Sequence, residues 1–247
     1  ALLTRKTLPE GRFVQIDYYT DGGQKNKVKS VTTPAGSGGV ASVLFSYGDD
    51  YTEVDGPGGR KVVYRFDDDD QLVAAEQYLD GSLYRIHKKS WGTKSDAGNL
   101  ISTSVQAPNG DIFYHKHFTY DSKNKGNIVE EREYGDVIGL GAISLHVDES
   151  GLVTNQDGHI KNYAYFSGKN THGFFQTDAK GTGVKYWYKK GTNLLLKKFI
   201  LLEGSPDSEE ENYRSGIKER HFYAYNDDAA LIQVTVDDGR EGTLEND

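Results

Sequence analysis

The chain of 247 residues has no cysteine, no methionine and only 5 prolines. Without cysteine there is no disulfide framework, no thiolate nucleophile and no thiolate metal ligand. Methionine is missing even at position 1, so the numbered chain is expected to be an internal or processed piece of a longer one. No signal peptide is evident at the start. No apolar run is long enough to cross a bilayer; the best candidate, Leu194 to Leu202, is interrupted by Lys197 and Lys198. No run of Lys or Arg exceeds two residues and the net charge is −8, which speaks against nucleic acid or an anionic membrane as partner. Helix signals are weak: Ala229 to Val234 is short and β-branched at its end.

What is present points to strands and turns. Glycine contributes 29 residues and tyrosine 17. Tyrosine joins a large apolar ring to a polar tip, which suits a half-wet strand surface, and many glycines with few prolines suit tight turns. The charged fraction of 27% is interspersed with aliphatics and aromatics, so most of the chain is expected to fold.

One pattern recurs. An alternating strand closes on an aromatic, usually followed by Asp or Asn; a few polar or Gly residues follow, then a second apolar strand. The first copy runs from Gly11 to Tyr19, turns at Asp21-Gly22-Gly23 and returns over Val28 to Val31. The second runs from Gly59-Arg60 to Phe66-Asp67, turns over Asp68 to Asp70 and returns at Gln71-Leu72-Val73. The third runs from Phe113 to Tyr120-Asp121, turns over Ser122 to Gly126 and returns over Asn127 to Glu130. The fourth, Val184 to Tyr188, has Lys189 in the Asp position and returns over Asn193 to Leu196. The fifth closes at Tyr225-Asn226 and returns at Leu231-Ile232. Alternation puts every second side chain on one face, and the Asp or Asn can bond backbone two residues on. The closing aromatics are irregularly spaced, with further hairpins expected at Asp80-Gly81, Asn109-Gly110 and Gln156-Asp157-Gly158. Thr93 to Asn99, Ser205 to Gly216 and Asp237 to Asp247 read as loops or a frayed end.

The motif Gly-Arg, strand, Tyr-Asp, turn, apolar strand resembles the RHS/YD-repeat family. Gly59, Arg60, Phe66 and Asp67 carry it, with Tyr120 and Asp121, Tyr188, and Tyr225 with Asn226. The resemblance runs from about residue 11 to 238. It implies an all-β fold of repeated antiparallel hairpins in a curved, spiralling open sheet, with residues 1–247 as one segment. It also implies a secreted or cell-surface shell that encloses a toxic C-terminal domain, with flanking repeats as partners. Family shells often end near a self-cleaving Asp-Pro. Here the residues before proline are Leu8, Thr33, Gly56, Ala107 and Ser205, so that end is absent.

Candidate chemistry is sparse. A calcium loop beginning at Asp67 puts Gln71, Leu72 and Tyr78 at positions 5, 6 and 12; one beginning at Asp121 puts Lys123, Lys125 and Arg132 at ligand positions. His115 and His117 share a strand face but lack an evident third zinc ligand, and His87, His146, His159, His172 and His221 are scattered. Glu130, Glu131 and Glu133 are neighbours on one strand, not a pair across a cleft. Gly36-Ser37-Gly38-Gly39 lacks the helix and Lys of a phosphate loop, and no Gly-x-Ser-x-Gly elbow occurs. Trp91 and Trp187 are candidates for stacking on sugar rings. The expectation is a structural, encapsulating module without enzyme activity, cofactor or resident metal; the alternative is a carbohydrate- or cell-surface-binding β module.

Overall fold

The computed structural model describes residues 2–123, 126–135, 144–167, 169, 171–178, 180–202 and 216–237. Seventeen strands, all pairing antiparallel, form one sheet, with four single-turn 3-10 helices in the connections. The all-β hairpin fold expected from the sequence is what forms.

The chain divides into two compact units, Ala1–His117 with Tyr134–Gln156, and Phe118–Glu133 with Asp157–Asp247. The first holds β1 (Arg5–Thr7), β2 (Phe13–Tyr18), β3 (Val28–Pro34), β4 (Val40–Tyr47), β5 (Tyr51–Asp55), β6 (Arg60–Phe66), β7 (Leu72–Leu79), β8 (Ser82–Trp91), β9 (Leu100–Gln106) and most of β10 (Ile112–Tyr120). The second holds most of β11 (Ile128–Gly135), then β12 (His159–Ser167), β13 (Thr171–Asp178), β14 (Gly183–Lys189), β15 (Leu195–Leu201), β16 (Ile217–Tyr225) and β17 (Leu231–Asp237).

Pairing follows chain order. In the first unit Val63 lies opposite Glu76 across β6–β7, and Glu76 opposite Ile86 across β7–β8. In the second, Tyr165, Phe174, Tyr186, Lys198 and His221 lie in successive register from β12 to β16. All five hairpins read from the aromatic-Asp pattern form: β2–β3, β6–β7, β10–β11, β14–β15 and β16–β17. Those at Asp80-Gly81 and Asn109-Gly110 form as β7–β8 and β9–β10.

Counted in strands, the copies are regular. The first four close on β2, β6, β10 and β14, each four strands after the last, and the fifth closes two strands further on, at β16. Loops of unequal length, above all the long β11–β12 connection, hide that step from the residue numbering.

The hairpin expected at Gln156-Asp157-Gly158 does not form. Residues 152–154 fold back on His146 and Val147 instead, with Val147 opposite Val153 and Thr154 N–H donating to the His146 carbonyl (2.9 Å). The physical reason is the Asp148 side chain, which accepts from the N–H groups of both Ser150 and Leu152 (2.9 and 3.0 Å) and fixes the reversal earlier. β12 pairs with β11 and β13. Thr93 to Asn99 is a connection with one 3-10 turn, Lys94–Asp96. Of the expected loop at 205–216 and the tail from 237, only Gly216 and Asp237 are among the described residues, and Asp237 ends β17 rather than opening a tail.

Burial is concentrated in small clusters. In the first unit Tyr134, Leu145 and Val153 pack with Ile112 and Val147. In the second, Trp187, Phe175, Phe199, Leu201 and Ile217 pack with Phe166 and Phe222. Alternation explains the second set: Lys185 and Trp187 point to the covered face, and Tyr186 and Tyr188 to the half-exposed one.

Candidate functional site

The repeat-signature residues converge on one small device at the hairpin ends. Asp67 Oδ1 accepts from the N–H groups of Asp69 (3.1 Å) and Gln71 (2.8 Å). Its own N–H donates to the Gln71 carbonyl, and Asp70 N–H donates back to the Asp67 carbonyl (both 3.0 Å). Asp70 is left-handed at φ 60. This is a type I turn followed by a left-handed residue, a standard three-residue hairpin loop, locked by a side-chain acceptor.

Asn226 repeats it with the N–H groups of Asp228 (3.1 Å) and Ala230 (2.9 Å), and Ala229 is left-handed at φ 61. Asp148 and Asp178 also repeat it, the latter with Lys180 and Thr182 (2.9 Å each), and place Gly151 and Gly181 at the left-handed position. Hydrogen bonds from Ser150 and from the backbone hold the Asp148 carboxyl below its usual range. Asp121 begins a longer turn: its Oδ1 accepts from Lys123 N–H (2.8 Å), and its N–H donates to the Asn127 carbonyl (2.9 Å). In the fourth copy the carboxylate is missing. There Thr192 Oγ1 accepts from Leu194 N–H (3.2 Å) while donating to the Lys189 carbonyl (2.9 Å), and Gly191 is left-handed at φ 75.

Opposite the closing aromatic the returning strand carries an extra residue. Arg65 faces Ala74 while Phe66 faces Leu72, so Val73 bulges. By the same register Lys29 bulges opposite Tyr18, Leu196 opposite Tyr188, Ile232 opposite Tyr225 and Ile101 opposite Trp91. Each bulge adds local right-handed twist.

A third part is an aromatic clip. Tyr47, Trp91, Tyr165 and Tyr225, on β4, β8, β12 and β16, donate a hydroxyl or indole N–H to the first carbonyl of the preceding strand: Val28 (2.9 Å), Leu72 (2.9 Å), Ile128 (2.8 Å) and Leu195 (3.0 Å). The clip recurs every four strands and satisfies a carbonyl beside each returning strand's start.

Of the other signature residues, Gly59 is left-handed at φ 69, and a Cβ there would run into the Asp80 carboxylate. Arg60 opens β6 opposite Leu79 and is exposed. Tyr120 closes β10. Tyr188 stacks on His172 at 5.8 Å between ring centroids.

The stacking role expected for Trp187 is not open to it. Its side chain is 2% exposed, wedged between Phe166 (5.8 Å) and Phe199 (4.7 Å), and leaves no ring face for a sugar. Lys185, also buried, lies 5.0 Å from the Phe166 ring. Trp91 is half-buried and commits its one polar atom to Leu72. On the half-exposed face of the second unit, Phe174 stacks on Tyr186 at 4.7 Å and leans on Tyr163 and Tyr165 at 6.1 Å each. Tyr165 is 42% exposed, and its contact and that of Tyr163 with Phe174 are tilted rather than face to face. Burial raises the hydroxyl pKa of Tyr165, Tyr186 and Tyr188; burial and then Glu131 push Tyr163 up to about 12, so these hydroxyls stay neutral.

The candidate chemical groups are engaged structurally. Glu130 pairs with Arg132 (2.6 Å), and Glu131 and Glu133 flank Lys161 (3.3 and 4.0 Å). His115 is 3% exposed and its Nε2–H donates to the Gly151 carbonyl (2.8 Å). Its Nδ1 meets no hydrogen-bond partner among the described residues, although Ser104 lies opposite it on β9. Among the described residues no group of three or more His, Cys, Asp or Glu is placed to hold a metal ion, and no helix is long and apolar enough to cross a membrane.

No family model matches the sequence, and no curated protein matches it. Among solved structures, the chain is similar to one described as "Crystal Structure of TcdB2-TccC3 without hypervariable C-terminal region", with a TM-score of 0.31 and 8% identity, over 94% of this chain. This chain spans 16% of the length of that one.

The turns at Asp148 and Asp178 and the clips at Tyr47 and Tyr165 are absent from the sequence reading. Asp-x-x-Gly, at Asp148 to Gly151 and Asp178 to Gly181, was the available signal for the turns. No aromatic precedes either Asp, so a search keyed to aromatic-Asp pairs passes over them.

Proposed function

We propose that this chain is a scaffold: a wall segment of an RHS-like encapsulating shell, and not an enzyme. The observation that carries the reading is the clip that recurs every four strands, on β4, β8, β12 and β16, in a sheet whose hairpins repeat one Asx turn and one bulge. The Asp67 and Asn226 side chains are spent on backbone N–H groups of their own turns, and the Tyr47 and Tyr225 hydroxyls on carbonyls of the preceding strand. The bulges add twist at many strand pairs, which suits a wall that winds around a content. In this reading the chain works beside further repeats, encloses a C-terminal domain of toxic action, and belongs to a secreted or cell-surface protein.

The test is native proteolysis of the longest polypeptide that carries this chain. Fragments are identified by mass spectrometry before and after the β structure is unfolded. A neighbouring domain that resists protease until the sheet unfolds is the expected result. Digestion of every neighbouring domain at native conditions, with this chain left intact, overturns the reading.

A further inference from the structure

Residues 144–156 form a cover laid on the sheet of the first unit. The segment folds back on itself where Thr154 N–H donates to the His146 carbonyl (2.9 Å). Hydrogen bonds tie it down at both ends and near its tip. Leu145 N–H donates to the Ile112 carbonyl (2.7 Å), and Ser144 Oγ donates to Asp111 Oδ1 (3.1 Å). Gln156 Oε1 accepts from Gly135 N–H (3.0 Å). Near the tip, His115 Nε2–H donates to the Gly151 carbonyl (2.8 Å). Leu145 and Val153 pack on Tyr134, and all three are buried.

Of these ties, only that of His115 involves a group that titrates between about pH 5 and 8. A carbonyl can only accept, so Nε2 carries the hydrogen and Nδ1 is the atom that acid protonates. Nδ1 is buried and has no hydrogen-bond partner among the described residues. Ser104 lies opposite His115 on β9, and its Oγ already accepts from Gln106 Nε2 (3.2 Å). Protonated in place, the ring would be a buried cation whose new N–H meets no acceptor.

The other groups around His115 in this unit offer no relief. Lys88 lies beyond Ser104 on β8. His117 is two residues along β10, with its ring beside Gly151. The Tyr134 ring stands 6.2 Å away on β11. The cover brings His146, Asp148 and Glu149, and the Asp148 carboxylate is held by the N–H groups of its own turn. Lifting the cover is the way for water to reach the ring.

We propose that residues 144–156 are an acid-released cover: protonation of His115 at Nδ1 lifts them from β10 and β11 and exposes Tyr134, Leu145 and Val153. Burial lowers the pKa of the docked ring, so the docked form prefers the neutral ring. The cover is therefore held fully above the open-state value of about 6.5 and loosens as pH falls below it. This device is independent of the scaffold reading, and the two fail separately.

The chain has no cysteine, so an introduced one is its sole thiol. Val153→Cys places it under the cover, at a residue 9% exposed; Val63→Cys places it on β6, at a residue 5% exposed. Labelling of the full chain by dithiodipyridine is followed at pH 7.5 and 5.5, relative to free cysteine at the same pH. The Val153→Cys rate is expected to rise about tenfold at pH 5.5, the limit for one proton with an open-state pKa of about 6.5. The Val63→Cys rate is expected to stay level. Adding His115→Gln, which keeps a donor for Gly151 but takes no proton, is expected to flatten the Val153→Cys response. His115→Leu is a second non-titrating variant should the first not fold, with the same flat response, and His117→Gln is expected to leave the rise in place. The proposal is overturned if Val153→Cys labelling does not rise with acid, or if Val63→Cys rises equally, since the chain then unfolds as a whole. It is also overturned if a folded His115 variant keeps the rise or if His117→Gln abolishes it.

Discussion

Replacing Asp67 by alanine removes one acceptor and orphans two backbone N–H groups, those of Asp69 and Gln71. Each such bond contributes roughly 0.5–1.5 kcal/mol net, so the loss is about 1–3 kcal/mol. For a chain of this size about 2 kcal/mol lowers Tm by roughly 4–8 °C. Asp67→Asn keeps Oδ1, as Asn226 does naturally, and is expected to cost less than about 0.5 kcal/mol. The pair of variants separates geometry from charge. Asp67 stands beside three further aspartates, so if its charge mattered most, asparagine would relieve repulsion and raise stability by as much as alanine does. Thermal unfolding by circular dichroism gives the global loss, and hydrogen exchange at Gln71 gives the local one. The expected order is wild type close to asparagine, both well above alanine, with exchange at Gln71 accelerated only in the alanine variant. Equal behaviour of Asp67→Ala and Asp67→Asn would refute the claim that the acceptor builds the turn.

Tyr47→Phe and Tyr225→Phe each keep the ring and lose one clip; each is expected to cost about 1 kcal/mol in denaturant unfolding, and no change in either would remove the clip from the repeat. Trp187→Ala empties the centre of the second unit's cluster and is expected to cost about 3–5 kcal/mol, with a stability near wild type counting against the burial described. Burial depresses the pKa of His115, against the opposing pull of the Gly151 carbonyl, so the folded state prefers the neutral ring. Its contribution is therefore intact above the unfolded value of about 6.5 and is lost as pH falls below it; a stability-pH curve that His115→Gln does not flatten in this range would show another group is responsible. Ala229 holds a left-handed φ of 61 where the Asp148 and Asp178 turns have glycine, so Ala229→Gly trades a strain of roughly 1–2 kcal/mol for a backbone entropy of roughly 0.5–1, and a Tm equal to or above wild type is expected.

The hairpins were legible because their signal is local. An aromatic, an Asx acceptor and a left-handed residue within five positions describe the whole turn, as at Phe66 to Gln71. The four-strand step was not legible, because it is counted in strands while loops set the residue spacing. The face that Trp187 occupies was hidden for another reason. β14 carries rings on both faces, so alternation separates Trp187 from Tyr186 and Tyr188 without saying which side is covered. The clip at Tyr225 has no local sequence signal, since the Leu195 carbonyl it reaches lies 30 residues away.

The fourth copy shows what the repeat requires. Lys189 cannot accept a hydrogen bond, yet the hairpin closes, because Thr192 supplies the missing acceptor from inside the loop and Gly191 supplies the left-handed residue. The clip tolerates the same exchange: Trp91 does with an indole N–H what Tyr47, Tyr165 and Tyr225 do with a hydroxyl. The unit is thus a pattern of donors and acceptors around a bulge, and several residue types satisfy each place. Such a unit can change its letters widely while holding its strand count; the first hairpin, β2–β3, even closes on backbone bonds alone, Tyr19 N–H to the Lys27 carbonyl (3.0 Å) and Asn26 N–H to the Tyr19 carbonyl (2.9 Å). An enzyme site built on such a sheet would have to take polar groups away from these positions, and each group taken would leave a backbone N–H or carbonyl unpaired at about 1–3 kcal/mol. The polar groups at the hairpin ends of this chain are therefore held to their backbone partners by that cost.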